Sequence, residues 1–196
     1  MSMPHPGPSI GSEHVNALRR TGPGSLLVWN DEHRFLAITA PGIVHGPEAL
    51  IIAGYGDLSD PGAERRDACL AEVFAQWWRE RGTTWPQAKA MAAAAAPLRH
   101  EFAQRGVYLR KAPDYRCADQ CGMTDHYLCP QTPGVVMSVD MTAGSAEPGP
   151  VRLAFHRAGS RELIQRISMR ADSRREAGAR TIASAAEERL AVLGRS

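Results

Sequence analysis

The order in which two hydrophobic periodicities follow one another constrains the fold of this chain more than any other feature. Segments with alternating or continuous apolar residues, which are typical of β-strands, come first, at 25–30, 33–39 and 49–55. Two segments with apolar residues three and four positions apart, which are typical of amphipathic helices, follow at 61–81 and 86–105. Because the strands come in runs and the helices are grouped, the sequence predicts an α+β fold and not a doubly wound sheet.

The second half of the chain returns to strand-type patterns before it ends in a helical one. Apolar segments at 107–111, 135–141 and 151–156 predict three further strands. The final segment, 160–193, has apolar residues at helical spacing. We therefore expect a mixed or antiparallel sheet that is covered by the two earlier helices.

The two central helices have recognisable sequence signals. Asp60 is a good N-cap for the first helix, Pro61 suits its first helical position, and Gly82 ends the apolar run. The apolar stripe of this helix is formed by Leu70, Val73, Phe74 and Trp77. The second helix is expected to span 86–104, with an interruption at Pro97.

The length and the segment boundaries favour one domain. A chain of 196 residues suits a single domain of ordinary size. Residues 1–11 are rich in proline and glycine and are predicted to be a flexible tail, so that the domain would span 12–196. Within it we predict a Cys/His loop at 113–134 and a C-terminal helical segment at 160–193.

Composition excludes some classes of protein. Apolar residues make up 43% of the chain and charged residues 22%, which is typical of a globular protein and not of a disordered one. A net charge of +2 is too small to indicate a nucleic-acid or membrane partner by itself. The N-terminus does not have the features of a signal peptide, and no apolar run approaches the roughly 20 residues that span a bilayer. We expect a cytoplasmic protein without a membrane partner.

Three of the four cysteines and one histidine lie within a thirteen-residue stretch, in the order Cys-x3-Cys-x4-His-x2-Cys. Thiolate and imidazole groups are the ligands that Zn²⁺ binds tetrahedrally in structural sites. The Cys-Gly step and the four-residue gap to the histidine resemble those of zinc knuckles. The sequence therefore predicts one structural zinc ion, bound by Cys117, Cys121, His126 and Cys129.

Other interpretations of the same stretch stay open. One alternative is that the cysteines are reduced and serve only as small apolar side chains. Another is that Cys117 and Cys121 have a redox role. A loop cysteine can also be a catalytic nucleophile, with a histidine as its base. That arrangement requires the two groups to meet in space beside a third, orienting group, and the sequence does not show such a meeting.

The C-terminal segment is rich in arginine. Arginines along one side of this segment can contact the phosphates of a nucleic acid, although a solvated, salt-bridged surface has the same sequence pattern. The candidate nucleic-acid-binding residues are Arg166, Arg170, Arg174 and Arg175.

These observations lead to two functional hypotheses. The first is a non-enzymatic binding or assembly module with a zinc-stabilised loop that contacts a protein or nucleic-acid partner. The alternative is a small cytoplasmic enzyme that uses a loop cysteine with a histidine. The first is favoured because no carboxylate pair, triad order or phosphate-binding loop stands out in the sequence.

Overall fold

The computed structural model describes residues 7–59, 67–82, 85–116, 122–142 and 149–195. The described chain has an α+β fold with four α-helices, one short 3-10 helix and two antiparallel sheets. The helices are α1 (Ser12–Thr21), α2 (Asp67–Gly82), α3 (Trp85–Gln104) and α4 (Glu176–Leu193), and the 3-10 helix is Tyr55–Ser59. The strands are β1 (Leu26–Asn30), β2 (Phe35–Thr39), β3 (Ala49–Gly54), β4 (Tyr108–Leu109), β5 (Asp114–Arg116), β6 (Gly122–Leu128), β7 (Val135–Thr142), β8 (Val151–Arg157) and β9 (Leu163–Met169).

The first sheet, sheet A, has the strand order β2-β1-β3 and separates two hydrophobic cores. Along β1, Leu26 and Val28 belong to one core, whereas Leu27 and Trp29 belong to the other. Every residue of β3 is buried, as its continuous apolar run predicts. The second core lies between sheet A and helices α1 and α2.

The second sheet, sheet B, has the strand order β4-β6-β7-β8-β9, and β5 also pairs with β6. Its inner face packs against α3 and α4 in the larger core. The odd-numbered residues of β7, from Val135 to Met141, are buried, whereas the even-numbered residues are partly or fully exposed. This alternation is expected for a sheet with one covered face.

A buried ion pair joins α3 to the middle of sheet B. Arg99 donates from Nε and Nη2 to the two carboxylate oxygens of Asp125, at 2.7 and 2.8 Å, and Asp125 is fully buried. Tyr127 donates its hydroxyl to the same carboxylate at 3.1 Å. Burial by itself would lower the pKa of Arg99, but the adjacent carboxylate outweighs burial and raises it. The arginine therefore stays charged inside the core.

A second polar contact links the two sheets. The Asp57 carboxylate accepts hydrogen bonds from the backbone N–H of Gly54, at 2.7 Å, and from that of Ala112, at 3.1 Å. Gly56 donates its backbone N–H to the carbonyl of Arg110 at 2.9 Å. A Cβ atom on Gly54 would lie 2.6 Å from the backbone of Arg110 and Lys111, so that only glycine allows this approach.

The C-terminal helical segment predicted at 160–193 is partly wrong. Leu163–Met169 form strand β9 beside β8, and α4 begins only at Glu176. The apolar residues Leu163, Ile164 and Ile167 fit both a helical and a strand pattern. A strand is formed because β9 pairs with the backbone of β8, which would otherwise be the unpaired edge of the sheet.

The predicted 113–134 loop also contains regular structure. Strand β6 (Gly122–Leu128) pairs with β7 along its whole length, and β5 (Asp114–Arg116) flanks it. The sequence does not show the apolar–polar alternation of this strand, because the buried position 125 holds a charged aspartate between the polar Thr124 and His126. Its burial depends on Arg99, which comes from a distant helix.

The remaining boundary predictions agree in part with the structure. Ile10, from the predicted tail, packs against the second core, whereas residues 1–6 lie outside the described residues. The predicted cap residues of α2, Asp60 and Pro61, also lie outside them. Helix α3 continues through Pro97 without the expected interruption.

We predict that removing one member of the buried pair is much more harmful than removing the pair. Arg99→Met or Asp125→Leu alone should lower the free energy of unfolding by about 3–5 kcal/mol, because each leaves a buried charge without a partner. The triple variant Arg99→Met/Asp125→Leu/Tyr127→Phe should recover most of that loss. Urea unfolding measures these differences.

The exposed ion pair between Arg19 and Asp67, at 3.0 Å, provides the control. Arg19→Met should cost less than about 1 kcal/mol, because solvent screens this pair. A triple variant that is as unstable as the worse single variant would contradict the prediction.

Candidate functional site

The side of sheet B that no described helix covers carries most of the polar residues that the strands contribute. Alternate residues of β6, β7, β8 and β9 point away from the core, and strand pairing brings them into rows. We call this surface the outer face. It comprises Asp114, Arg116, Thr124, His126, Leu128, Val136, Ser138, Asp140, Arg152, Ala154, His156, Arg166 and Ser168.

Two arginines share one carboxylate on the outer face. Arg116 from β5 and Arg152 from β8 both contact Asp140 of β7, the latter at 3.4 Å. Both arginine side chains are about half exposed, at 48% and 50%. A guanidinium group has five N–H donors, so one shared carboxylate leaves donors of both arginines available to a ligand.

A second cluster of charges lies beside the first. His126 Nε2 is 2.6 Å from Asp114 Oδ2, and Lys111 Nζ is 3.2 Å from the same carboxylate. Burial by itself would raise the pKa of Asp114, but the hydrogen bond with His126 and the charge of Lys111 outweigh it and lower the pKa to about 2. Asp114 is therefore ionised at neutral pH and holds the imidazole in place.

Ser138 and His156 form a neighbouring polar pair. Ser138 Oγ lies 3.4 Å from His156 Nε2, and His156 Nδ1 lies 3.4 Å from the carbonyl oxygen of Arg161. Since a carbonyl can only accept, Nδ1 is the donor in the second contact. Both contacts are long, so this pair is weakly held.

The four arginines predicted to bind nucleic acid separate into two pairs. Arg166 projects from β9 on the outer face and Arg170 follows β9, and both are exposed without an acidic partner among the described residues. Arg174 and Arg175 both contact Asp172, at 2.8 and 3.4 Å. The hydrogen bonds from Arg174 lower the pKa of Asp172. The Asp172 carboxylate therefore offsets part of the positive charge of Arg174 and Arg175.

The described members of the predicted zinc site do not lie together. His126 points to the outer face, whereas Cys129 is buried in the core on the other side of the sheet. Burial raises the pKa of the Cys129 thiol to about 12, which disfavours the thiolate that zinc requires. Cys117 and Cys121 lie outside the described residues. The four-residue zinc site stays a prediction.

Metal-binding geometry is not found elsewhere in the described ranges. Among residues 7–59, 67–82, 85–116, 122–142 and 149–195, no group of three or more His, Cys, Asp or Glu side chains is placed to hold a metal ion. The raised pKa of Cys129 also argues against this residue as the nucleophile of a cysteine enzyme.

The sequence predicted Arg166 and His126 as site residues but missed most of the outer face. Along β7, the polar residues Ser138 and Asp140 alternate with the apolar residues Met137, Val139 and Met141, which was a visible signal of an exposed polar side. The pairing of Asp140 with Arg152 and with Arg116 had no such signal, because the registers of the four strands β5 to β8 determine it.

Comparisons with known proteins do not identify this chain. No protein-family model, no curated protein and no solved structure matches it. In the part of the chain that the structure describes, no helix is both long and apolar enough to cross a membrane.

The zinc prediction can be tested by elemental analysis of the wild type and of single variants. Because His126 is bound to Asp114 and Cys129 is a buried thiol, we expect His126→Ala and Cys129→Ala to leave the zinc content unchanged. Cys69→Ser, on the exposed surface of α2, is the control. One equivalent of zinc in the wild type that is lost in both site variants would establish the four-residue site.

The lowered pKa of Asp114 predicts a pH-dependent contribution to stability. A carboxyl whose pKa falls from 3.8 to about 2 on folding stabilises the protein above pH 3.8 and loses this effect as the pH falls towards 2. Asp114 is half exposed, so Asp114→Asn should cost at most about 1 kcal/mol at pH 7, with the cost shrinking across this acidic window.

Chemical unfolding of both proteins between pH 7 and pH 2 measures this dependence. Glu188→Gln, on the exposed side of α4 and without a partner among the described residues, is the matched control. A cost of Asp114→Asn that is constant with pH would contradict the prediction.

Proposed function

We propose that the protein is a non-enzymatic binding module that holds a nucleic acid by its phosphates on the outer face of sheet B. The observation that carries the proposal is the arrangement of Arg116, Arg152 and Arg166 across the outer face of sheet B. These arginines come from β5, β8 and β9, and strand pairing places them on the same side.

The charge on this surface suits a polyanion. Among the described residues its cations, with the adjacent Lys111, number four, whereas its carboxylates are Asp114 and Asp140. Asp140 is shared by two guanidinium groups, and Arg166 has no acidic partner among the described residues. Free guanidinium donors bind phosphate oxygens readily, often in a bidentate manner.

The dimensions of the surface favour an elongated ligand. From β5 to β9 there are four steps between adjacent strands, which at about 4.8 Å each give a row of roughly 19 Å. The residues between the arginines are small, as shown by Ser138 and Ala154 at the centre of the face. A chain of several phosphates matches this row better than a single phosphate group does.

The chemistry of the face also indicates the mode of binding. The outward-facing residues described in β6, β7, β8 and β9 include histidines but no phenylalanine, tyrosine or tryptophan. Base stacking on aromatic rings is therefore a minor contribution, and contacts to phosphate dominate. We expect binding with little preference for base sequence.

The enzyme hypothesis has less support. It requires a reactive cysteine, and the thiol of Cys129 has its pKa raised to about 12. Cys117 and Cys121 lie outside the described residues, so this hypothesis now depends on them alone. Rapid alkylation of either thiol at neutral pH in the native protein would favour it.

Salt titration of binding tests the proposal. We expect a fluorescent single-stranded oligonucleotide of mixed sequence to bind with an affinity that falls steeply with salt. For about three phosphate contacts, the slope of log K against log salt should be about −2. Fluorescence anisotropy at several salt concentrations measures it. A slope near zero, or no binding at low salt, would overturn the proposal.

Charge reversal locates the surface. Arg152→Glu/Arg166→Glu should weaken binding at least tenfold and flatten the salt slope, because two contacts are replaced by repulsion. Arg20→Glu/Arg79→Glu, at exposed positions of α1 and α2 beside the second core, makes the same change of charge away from sheet B and should have little effect. Equal losses in both variants would show a non-specific charge effect, and unchanged circular dichroism would exclude misfolding.

A further inference from the structure

The opposite side of sheet B contains a cavity that the proposed function does not use. It has a volume of about 280 Å³ and lies where the end of α3, the turn after β6 and the helix α4 meet. Its walls are formed by Phe102, Val107 and Leu190, with the alanines 183, 186 and 191 of α4. It opens to solvent beside Ala191 and Glu187, which are both exposed, so a small molecule can reach it.

The cavity exists because α4 presents alanines where larger side chains would fill it. Ala183, Ala186 and Leu190 recur at three- and four-residue spacing and therefore lie on one face of the helix. Ala183 and Ala186 are buried, and no larger side chain of the described residues occupies the space beside them. Ligand-binding pockets in proteins are typically apolar hollows of this kind with a few polar groups at the edge.

The polar groups around the cavity already satisfy one another. Arg105 donates to the carboxylate and to the backbone carbonyl of Glu101, and it lies 3.3 Å from the Glu187 carboxylate. Arg180 also contacts Glu101, at 3.7 Å. Two cations therefore balance two carboxylates. Among the described residues of this rim, a charged ligand would therefore meet no excess of opposite charge.

The remaining lining groups are uncharged. The Cys129 thiol lines the cavity. Thr132 donates its hydroxyl to the carbonyl of Leu190 at 3.4 Å. Neither group prevents an apolar molecule from filling the space.

We propose that this cavity binds an uncharged, mainly apolar molecule of about ten heavy atoms, of the size of a two-ring aromatic compound. The size follows from a reference case, since an apolar cavity of about 150 Å³ binds benzene. The lack of charge follows from the paired rim of Arg105, Glu101 and Glu187. This site is separated from the outer face by sheet B, so it can be tested independently of nucleic-acid binding.

Indole is a suitable probe, and indole-3-acetate and tryptamine are its negatively and positively charged relatives. We expect indole to bind at one site per chain in isothermal titration calorimetry and to raise the melting temperature. Each charged relative should bind at least tenfold more weakly. Absence of indole binding, or equal affinity for the charged relatives, would overturn the proposal.

Two exposed alanines of α4 provide a matched pair of variants. Ala191 lines the cavity, whereas Ala177 lies in the first turn of the same helix, away from it. Ala191→Phe should weaken indole binding at least tenfold by occupying the mouth, and Ala177→Phe should leave it unchanged. Since both positions are exposed, neither change disturbs the core. Equal affinity in Ala191→Phe and wild type would place indole elsewhere.

Discussion

The ion pair between Arg99 and Asp125 determines how sheet B is arranged. Asp125 can face the core only because the guanidinium of α3 meets both of its oxygens. With Asp125 inside, the neighbours Thr124 and His126 must point to the outer face, since side chains alternate along a strand. A shift of β6 by one residue would bury His126 and leave Arg99 unpaired inside the core, at a cost of several kcal/mol.

The same alternation produces two chemically different surfaces from one set of strands. On one side of β7, Met137 and Val139 join the core beneath α3 and α4, and the cavity lies at the end of that layer. On the other side, Ser138 and Asp140 join the polar outer face. The two proposed sites are therefore compatible in one small domain, because they use opposite faces of sheet B. One contacts phosphates and the other binds an uncharged molecule.

The cysteine-rich stretch illustrates how closeness in the sequence differs from closeness in space. His126 and Cys129 are three residues apart, and an odd separation places two side chains of an extended segment on opposite faces. Because the chain is extended along β6, the two side chains lie on opposite sides of sheet B. The imidazole of His126 is bound to Asp114, and the thiol of Cys129 is inside the core. A metal-ligand spacing has its usual meaning only when the segment folds as a turn or a helix.

The sequence alone determined the α+β class, the strands β1, β2 and β3 and most of the helices, because these features depend on the local hydrophobic period. It did not determine β6 or β9, or which polar residues share a surface. Strand β6 contains a buried charge whose partner, Arg99, lies in a distant helix, and β9 depends on the open edge of β8. The first pairing joins residues far apart in the chain and the second depends on the position of β8 in sheet B, so only the tertiary structure decided them.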